Sequence, residues 1–224
     1  MVEAGAPGYV RGIAIAADGS LLLTNSVGQL ARFRPGHASE FLASGLDRAM
    51  DVASDDRDGA YVCEAGIGKV LAISGQGETV TLARGLSRPT DVHRLDEGSL
   101  IVSEAGAGRV VHLRDGHSTT LIDGLAGPHG VTSTASGLFV LDYAAATLHL
   151  LPVDGSDAPL VASNLPVGHS CGGGPEGLPG VGAILPGPIL PFGGLAALPD
   201  GSVALSADSV GGILKLSPRP IAIP

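Results

Sequence analysis

The chain has 224 residues, 44% of them hydrophobic, with 35 Gly, 16 Pro, no Trp and a formal net charge of −9. That apolar share is enough to bury a core, which excludes a disordered chain. An acidic chain with no basic run and 3% aromatic residues also argues against nucleic-acid binding, since it lacks cations for phosphates and rings for bases.

Two cysteines, Cys63 and Cys171, are too few for a disulfide framework. The opening MVEAGAPGYV has no basic region followed by an apolar one, and no apolar stretch approaches 18 residues. The expectation is therefore a cytoplasmic protein without a membrane span.

Along the chain, short turns separate pairs of β-rich apolar runs. Asp18-Gly19 divides Gly12-Ile13-Ala14-Ile15 from Leu21-Leu22-Leu23-Thr24-Asn25, and Asp58-Gly59 divides Asp51-Val52-Ala53 from Tyr61-Val62-Cys63-Glu64. Glu97-Gly98, Ser136-Gly137 and Asp200-Gly201 repeat the arrangement, at spacings of 40, 39, 39 and 64 residues. A third run follows a small-residue turn, as in Gly68-Lys69-Val70-Leu71-Ala72-Ile73, and a fourth closes on Gly-Leu, as in Gly85-Leu86. No segment shows helical periodicity over three turns.

Four short strands per roughly 40 residues is the sequence form of a β-propeller blade. The reading is an all-β, single-domain β-propeller. Its five detectable four-stranded blades of about 39 residues lie near 9–45, 46–85, 86–124, 125–163 and 190–218. Five blades close a ring by themselves, or belong to a six-bladed type lacking an N-terminal blade. In the second case open blade edges invite self-association. The long spacing contains a Gly/Pro-rich insertion, 164–189, expected to act as a linker, a lid or an arm.

Blade geometry brings the start of each first strand beside the end of each second strand, near the central channel. Pairing outward from Ser136-Gly137 sets Asp142 opposite Val131. The channel mouth is thus expected to be lined by Arg11, Asn25, Asp51, Glu64, Asp91, Glu104, His129, Asp142 and Asp208. Hard oxygen donors converging on one axis suit Ca²⁺ or Mg²⁺, while the alternative is that the acids cap turn amides in each repeat. His93, His112 and His149 lie in strands and are expected to be structural.

The pattern Gly-Leu-x-x-Pro-x-(Gly/Asp)-Val…Asp-Gly…Tyr-Val-x-Glu…Gly-(Arg/Lys)-Val resembles NHL repeats. It is also similar to the gluconolactonase/senescence-marker and strictosidine-synthase-like propellers, and to the virginiamycin B lyase family. The fourth blade's Gly127-Pro128-His129-Gly130-Val131 resembles a strand of that lyase family whose His is general base. The resemblance implies His129 as base and Asp142, where the family has Glu, as metal ligand. The gluconolactonase likeness implies similar roles for Asn25 and Glu64. With Glu104 these complete an expected divalent-cation set of Asn25, Glu64, Glu104 and Asp142 around a small-molecule ligand. The implied activity is that of a lyase or lactonase-like hydrolase. The alternative is a non-catalytic NHL-like module that docks a peptide or partner protein.

Overall fold

The structure is a computed structural model that describes residues 8–96, 98–152, 159–167 and 193–217. Its strands form five antiparallel sheets, each a meander with neighbours in chain order. The first blade holds β1 (Val10–Ile15), β2 (Leu21–Asn25), β3 (Leu30–Phe33) and β4 (Glu40–Ala43). The second holds β5 (Ala49–Ser54), β6 (Ala60–Glu64), β7 (Lys69–Ile73) and β8 (Thr79–Ala83). The third holds β9 (Pro89–Asp96), β10 (Ser99–Glu104), β11 (Arg109–Arg114) and β12 (His117–Ile122). The fourth holds β13 (Pro128–Thr134), β14 (Gly137–Asp142), β15 (Thr147–Pro152) and β16 (Leu160–Ala162). Among the described residues the fifth has three strands, β17 (Leu195–Ala197), β18 (Val203–Ala207) and β19 (Gly212–Leu216). The first strands β1, β5, β9, β13 and β17 pack in succession around one axis, which makes the molecule a five-bladed β-propeller. No helix long and apolar enough to cross a membrane occurs among the described residues.

The strand ends are set by local chemistry. Gly19 and Gly201 adopt φ of 79° and 78° in their turns, and the preceding acids, Asp18 and Asp200, accept the amides of Ser20 and Ser202 at 2.9 and 3.0 Å. In blade four the register differs from the sequence expectation. Thr134 pairs with Gly137 across a two-residue turn, and a bulge then skips His129, so Asp142 faces Pro128 and not Val131.

Blades one to four are each closed by one repeated hydrogen bond. The amides of Leu46, Leu86, Leu125 and Leu165 donate to the carbonyls of Gly28, Gly68, Gly108 and Ala146 at 2.9 to 3.1 Å. The acceptors sit at positive φ between second and third strands, as do the residues preceding each leucine: Gly45, Gly85, Gly124 and Asn164. Asn164-Leu165 is thus the fourth copy of the Gly-Leu closure, and 164–167 belong to blade four. Leu165 and Val167 are buried, and the Ser209 amide donates to Pro166 at 3.2 Å, tying this closure to blade five. The rest of the expected insertion, His169 and Cys171 included, lies outside the described residues.

The core is a series of layers between blades. Leu22, Leu30 and Leu42 of blade one meet Val52, Val62 and Leu71 of blade two; Cys63 and Val70 meet Val92, Val102 and Val111 of blade three. Ile101 and Val110 meet Val131 and Val140, and Leu141 and Leu148 meet Val203 and Leu205. Arg32, 3% exposed, adds a polar staple at the first interface through the Asp58 carboxylate at 2.8 Å and its carbonyl at 2.6 Å.

The face of blade one that points away from blade two has no such cover among the described residues. Cross-strand pairing puts Ile13, Leu23, Ala31 and Phe41 in one row and Ile15, Leu21 and Phe33 in the next. Ile13, Ile15 and Phe41 are 61%, 71% and 48% exposed. The equivalent rows of blades two to four lie against the preceding blade.

Two outcomes are expected. Gly85→Ala meets only the left-handed backbone at φ 74° and should cost about 1–2 kcal/mol. Gly68→Ala also drives a Cβ into the Leu86 carbonyl oxygen and should cost at least twice as much, read as the difference in melting temperature. Replacing Ile15 and Phe41 together by Glu should leave the melting temperature within about 2 °C, since neither is buried.

Candidate active site in the central channel

The first strand of each of blades one to four starts with a break in register. The break falls at Arg11-Gly12 in β1, Met50-Asp51 in β5, Thr90 in β9 and His129 in β13. A bulge bends its strand and re-aims the side chains it carries. Here the bulged residues turn into the channel. Arg11, Met50, Asp51, Thr90, Asp91 and His129, with Gly193, Gly194 and Ser206 of blade five, line a cavity of about 250 Å³. It adjoins a larger cavity of about 710 Å³ that shares Arg11, Asp51, Asp91, Gly194 and Ser206 and continues along the inner strands.

Two acids stand at the junction. Asp51 and Asp91 occupy equivalent positions in blades two and three, where blades one, four and five carry Gly12, Gly130 and Gly194. Gly12 is required by Asp51: a Cβ there would lie 2.7 Å from the Asp51 Cα and 2.8 Å from its Oδ1. Each acid reaches the next blade. The Val92 amide donates to Asp51 Oδ2 at 3.2 Å, and the Val131 amide donates to Asp91. Both residues are half-buried and line the cavity. This burial raises the Asp51 pKa to about 7, against the opposing pull of the Val92 and Val52 amides. Asp91 is raised well above the usual range, by burial first and then by the charge of Asp51. The pair therefore retains a proton near neutrality. Burial, and after it the two acids, also raises the Cys63 thiol, which stays protonated.

His129 and Arg11 complete the cavity. His129 tilts against Tyr143, with ring centroids 5.2 Å apart at 44°. Burial, then the charge of Arg88, lowers its pKa to about 4 against the opposing effect of Asp142, so the imidazole is neutral at physiological pH. Among the described residues its ring nitrogens have no hydrogen-bond partner. Arg11 lies 5.7 Å from the Tyr9 ring centroid and donates a 3.4 Å bond to the Ala49 carbonyl. Its buried Nε has no partner, and it forms no ion pair among the described residues.

The four expected cation ligands are engaged elsewhere. Glu64 Oε1 accepts the Asp47 amide at 2.9 Å, and Asp142 accepts the amides of Ala126 and Gly127 at 2.7 and 2.9 Å. Fully buried Glu104 accepts the Ser87 amide at 2.6 Å and pairs with Arg109 at 2.7 Å. Asn25 accepts the amides of Val27 and Gln29 at 3.2 and 3.0 Å. Each acid thus holds the loop leading into its own blade. As placed they do not fit a divalent cation, and among the described residues no three His, Cys, Asp or Glu side chains gather as a metal site. Asp208 accepts the Tyr143 hydroxyl. His112 and His149 bond to Ser99 and Thr147 within their sheets, and His93 bonds across blades to Ser133. Sequence reasoning placed Asp51 and Asp91 at the mouth but gave them no role. The available signal was that an acid appears at this position in only two blades.

Fold and channel together define a propeller with a polar, ligand-sized site on its axis. No protein-family model matches the sequence, and no curated protein matches it. Solved structures do match. A catalytically inactive virginiamycin B lyase from Staphylococcus aureus with quinupristin superposes with a TM-score of 0.69 at 14% identity, over 99% of this chain and 74% of that one. A gluconolactonase from Xanthomonas campestris gives 0.66 at 18% identity, over 95% and 77%. A nidogen/laminin complex gives 0.62 at 21%, over 70% and 64%. The chain therefore has the propeller fold that these NHL-type, gluconolactonase and lyase structures share.

The acid pair and the imidazole bias stability in opposite directions. Raised carboxyls bind a proton that the unfolded chain releases above about pH 4, so their contribution is lost as pH rises towards 7. His129 refuses a proton that the unfolded chain takes up below about 6.5, so its contribution falls as pH drops from there towards 4. Asp91→Asn should therefore melt higher than the parent at pH 8 by more degrees than at pH 4.5. An equal difference at both values would show that the pair carries no excess proton.

Proposed function

We propose that the protein is a small-molecule lyase or hydrolase working by acid–base chemistry at the channel mouth. The observation that supports this reading is the convergence around one cavity of the Asp51/Asp91 pair, shifted towards its protonated form, with a neutral His129 that has no hydrogen-bond partner and an Arg11 that has no ion-pair partner among the described residues. Similarity to lyase and gluconolactonase structures adds support at the level of fold.

In an elimination, His129 takes a proton from the carbon beside a carbonyl. The released electron pair forms the new C=C bond, and the carbon–oxygen bond breaks. The acid pair gives its proton to the leaving oxygen. In a hydrolysis, His129 takes a proton from water as its oxygen bonds to the carbonyl carbon, and the same donor protonates the departing oxygen. A base with a pKa near 4 is weak, so proton donation must act in the same step by acidifying the substrate or stabilising the leaving group. No step is routed through a metal ion, because Asn25, Glu64, Glu104 and Asp142 are committed to the contacts described above.

The test is turnover of sugar-acid lactones and of quinupristin by parent and variants. His129→Ala should lower kcat about 100-fold or more, and Asp91→Asn should lower it as well. The active form needs His129 neutral and the pair protonated. Log kcat/KM should therefore be flat between about pH 4 and 7, falling on either side. Activity that survives His129→Ala, or that keeps rising past pH 8, would overturn this assignment. A protein inert towards both substrate classes would move the reading to a binding propeller.

A further inference from the structure

The larger cavity has a composition that the proton-transfer chemistry does not require. It runs from the acid pair past Val52, Val92 and Val131 and opens where blades one and five face each other. One wall is Ile13 of β1, 61% exposed; the opposite wall is Ala196, Ala204 and Ile213 of blade five, while Leu195 packs towards blade four. Paired faces elsewhere in the ring are filled by interlocking side chains, as between Leu22 and Val62. Across this seam blade five presents small or exposed side chains, and no described side chain fills the space. Its volume of about 710 Å³ lies within the range of sites that enclose drug-sized ligands. Arg11 stands at the acid-pair end, a guanidinium without a carboxylate partner among the described residues and with a buried, unpartnered Nε, whereas the other cation on the lining, Arg94, is paired with Asp56.

We infer that the substrate is an amphipathic carboxylate whose anionic head is held by Arg11 while its apolar body lies in the seam between blades one and five. This rests on the site proposed above and names its substrate class. The charge match is local: of the side chains shared by both cavities, Arg11 is the cation, and burial shifts the Asp51 and Asp91 carboxyls towards the neutral form, which lessens their repulsion of an anion. The body excludes water from the valine-lined channel and seats the head where His129 can reach an adjoining carbon.

Binding is measured apart from turnover, by calorimetric titration at pH 6 with decanoate, 1-decanol and acetate as probes. Decanoate should saturate one site, 1-decanol should bind at least tenfold more weakly, and acetate should not bind measurably. Arg11→Gln should reduce decanoate to the affinity of 1-decanol. Ala196→Phe should weaken both long-chain probes at least tenfold by filling the seam from an exposed position, and Ala204→Leu repeats that test should the first variant fold poorly. Phe41→Ser, on the same blade face but outside the cavity, should change neither. His129→Ala should bind decanoate like the parent, so loss of activity with retained binding separates the chemical reading from this one. Decanoate that binds no better than acetate, or equally well to the Arg11→Gln and Ala196→Phe variants, overturns the inference.

Discussion

A four-stranded sheet has two faces and no means of covering either by itself; this constraint governs the molecule. Each interior blade buries a row such as Val52-Val62-Leu71 against its predecessor and a second row against its successor. Stability is thus a property of interfaces more than of blades. Radial packing also forces the first strands together on the axis, so a channel arises as a by-product of covering the faces. Where the rule lapses, between blades one and five, the same by-product widens into the cavity of about 710 Å³.

The channel is polar because bulges turn side chains into it just where the strands converge. Inward-facing acids in a narrow channel would ordinarily repel. Here they come from two adjacent blades only, each accepts an amide from the next blade, and burial lets the pair keep a proton. The carboxyls therefore have a structural part in joining blades while remaining able to donate. The neutral imidazole at the mouth tilts against the Tyr143 ring and has no hydrogen-bond partner among the described residues.

The repeat made the architecture legible. Gly45-Leu46, Gly85-Leu86 and Gly124-Leu125 mark blade closures that the structure realises as one recurring hydrogen bond. The copy at Asn164-Leu165 escaped notice because Asn replaces Gly at a positive-φ position that Asn also tolerates. The mouth residues Arg11, Asp51, Asp91 and His129 were legible as a set through strand position. What was not legible was which acids are free. Glu64, Glu104 and Asp142 look like ligands because they recur, yet recurrence follows from each blade needing the same amides capped. Bulges hide a further part, since they depend on where two strands lose register and no composition announces that. In blade four the bulge at His129 moved Asp142 opposite Pro128.

Arg11, Met50, Thr90 and His129 are one residue slot seen four times: a guanidinium, a thioether, a hydroxyl and an imidazole at the same station of successive blades. The slot dictates direction, and each side chain answers it with its own contacts: Thr90 donates to the Pro128 carbonyl at 3.0 Å, Met50 joins the core between blades two and three, and Arg11 donates to the Ala49 carbonyl. Shape is thus inherited through the repeat, while the chemistry at the mouth is set blade by blade at a single station.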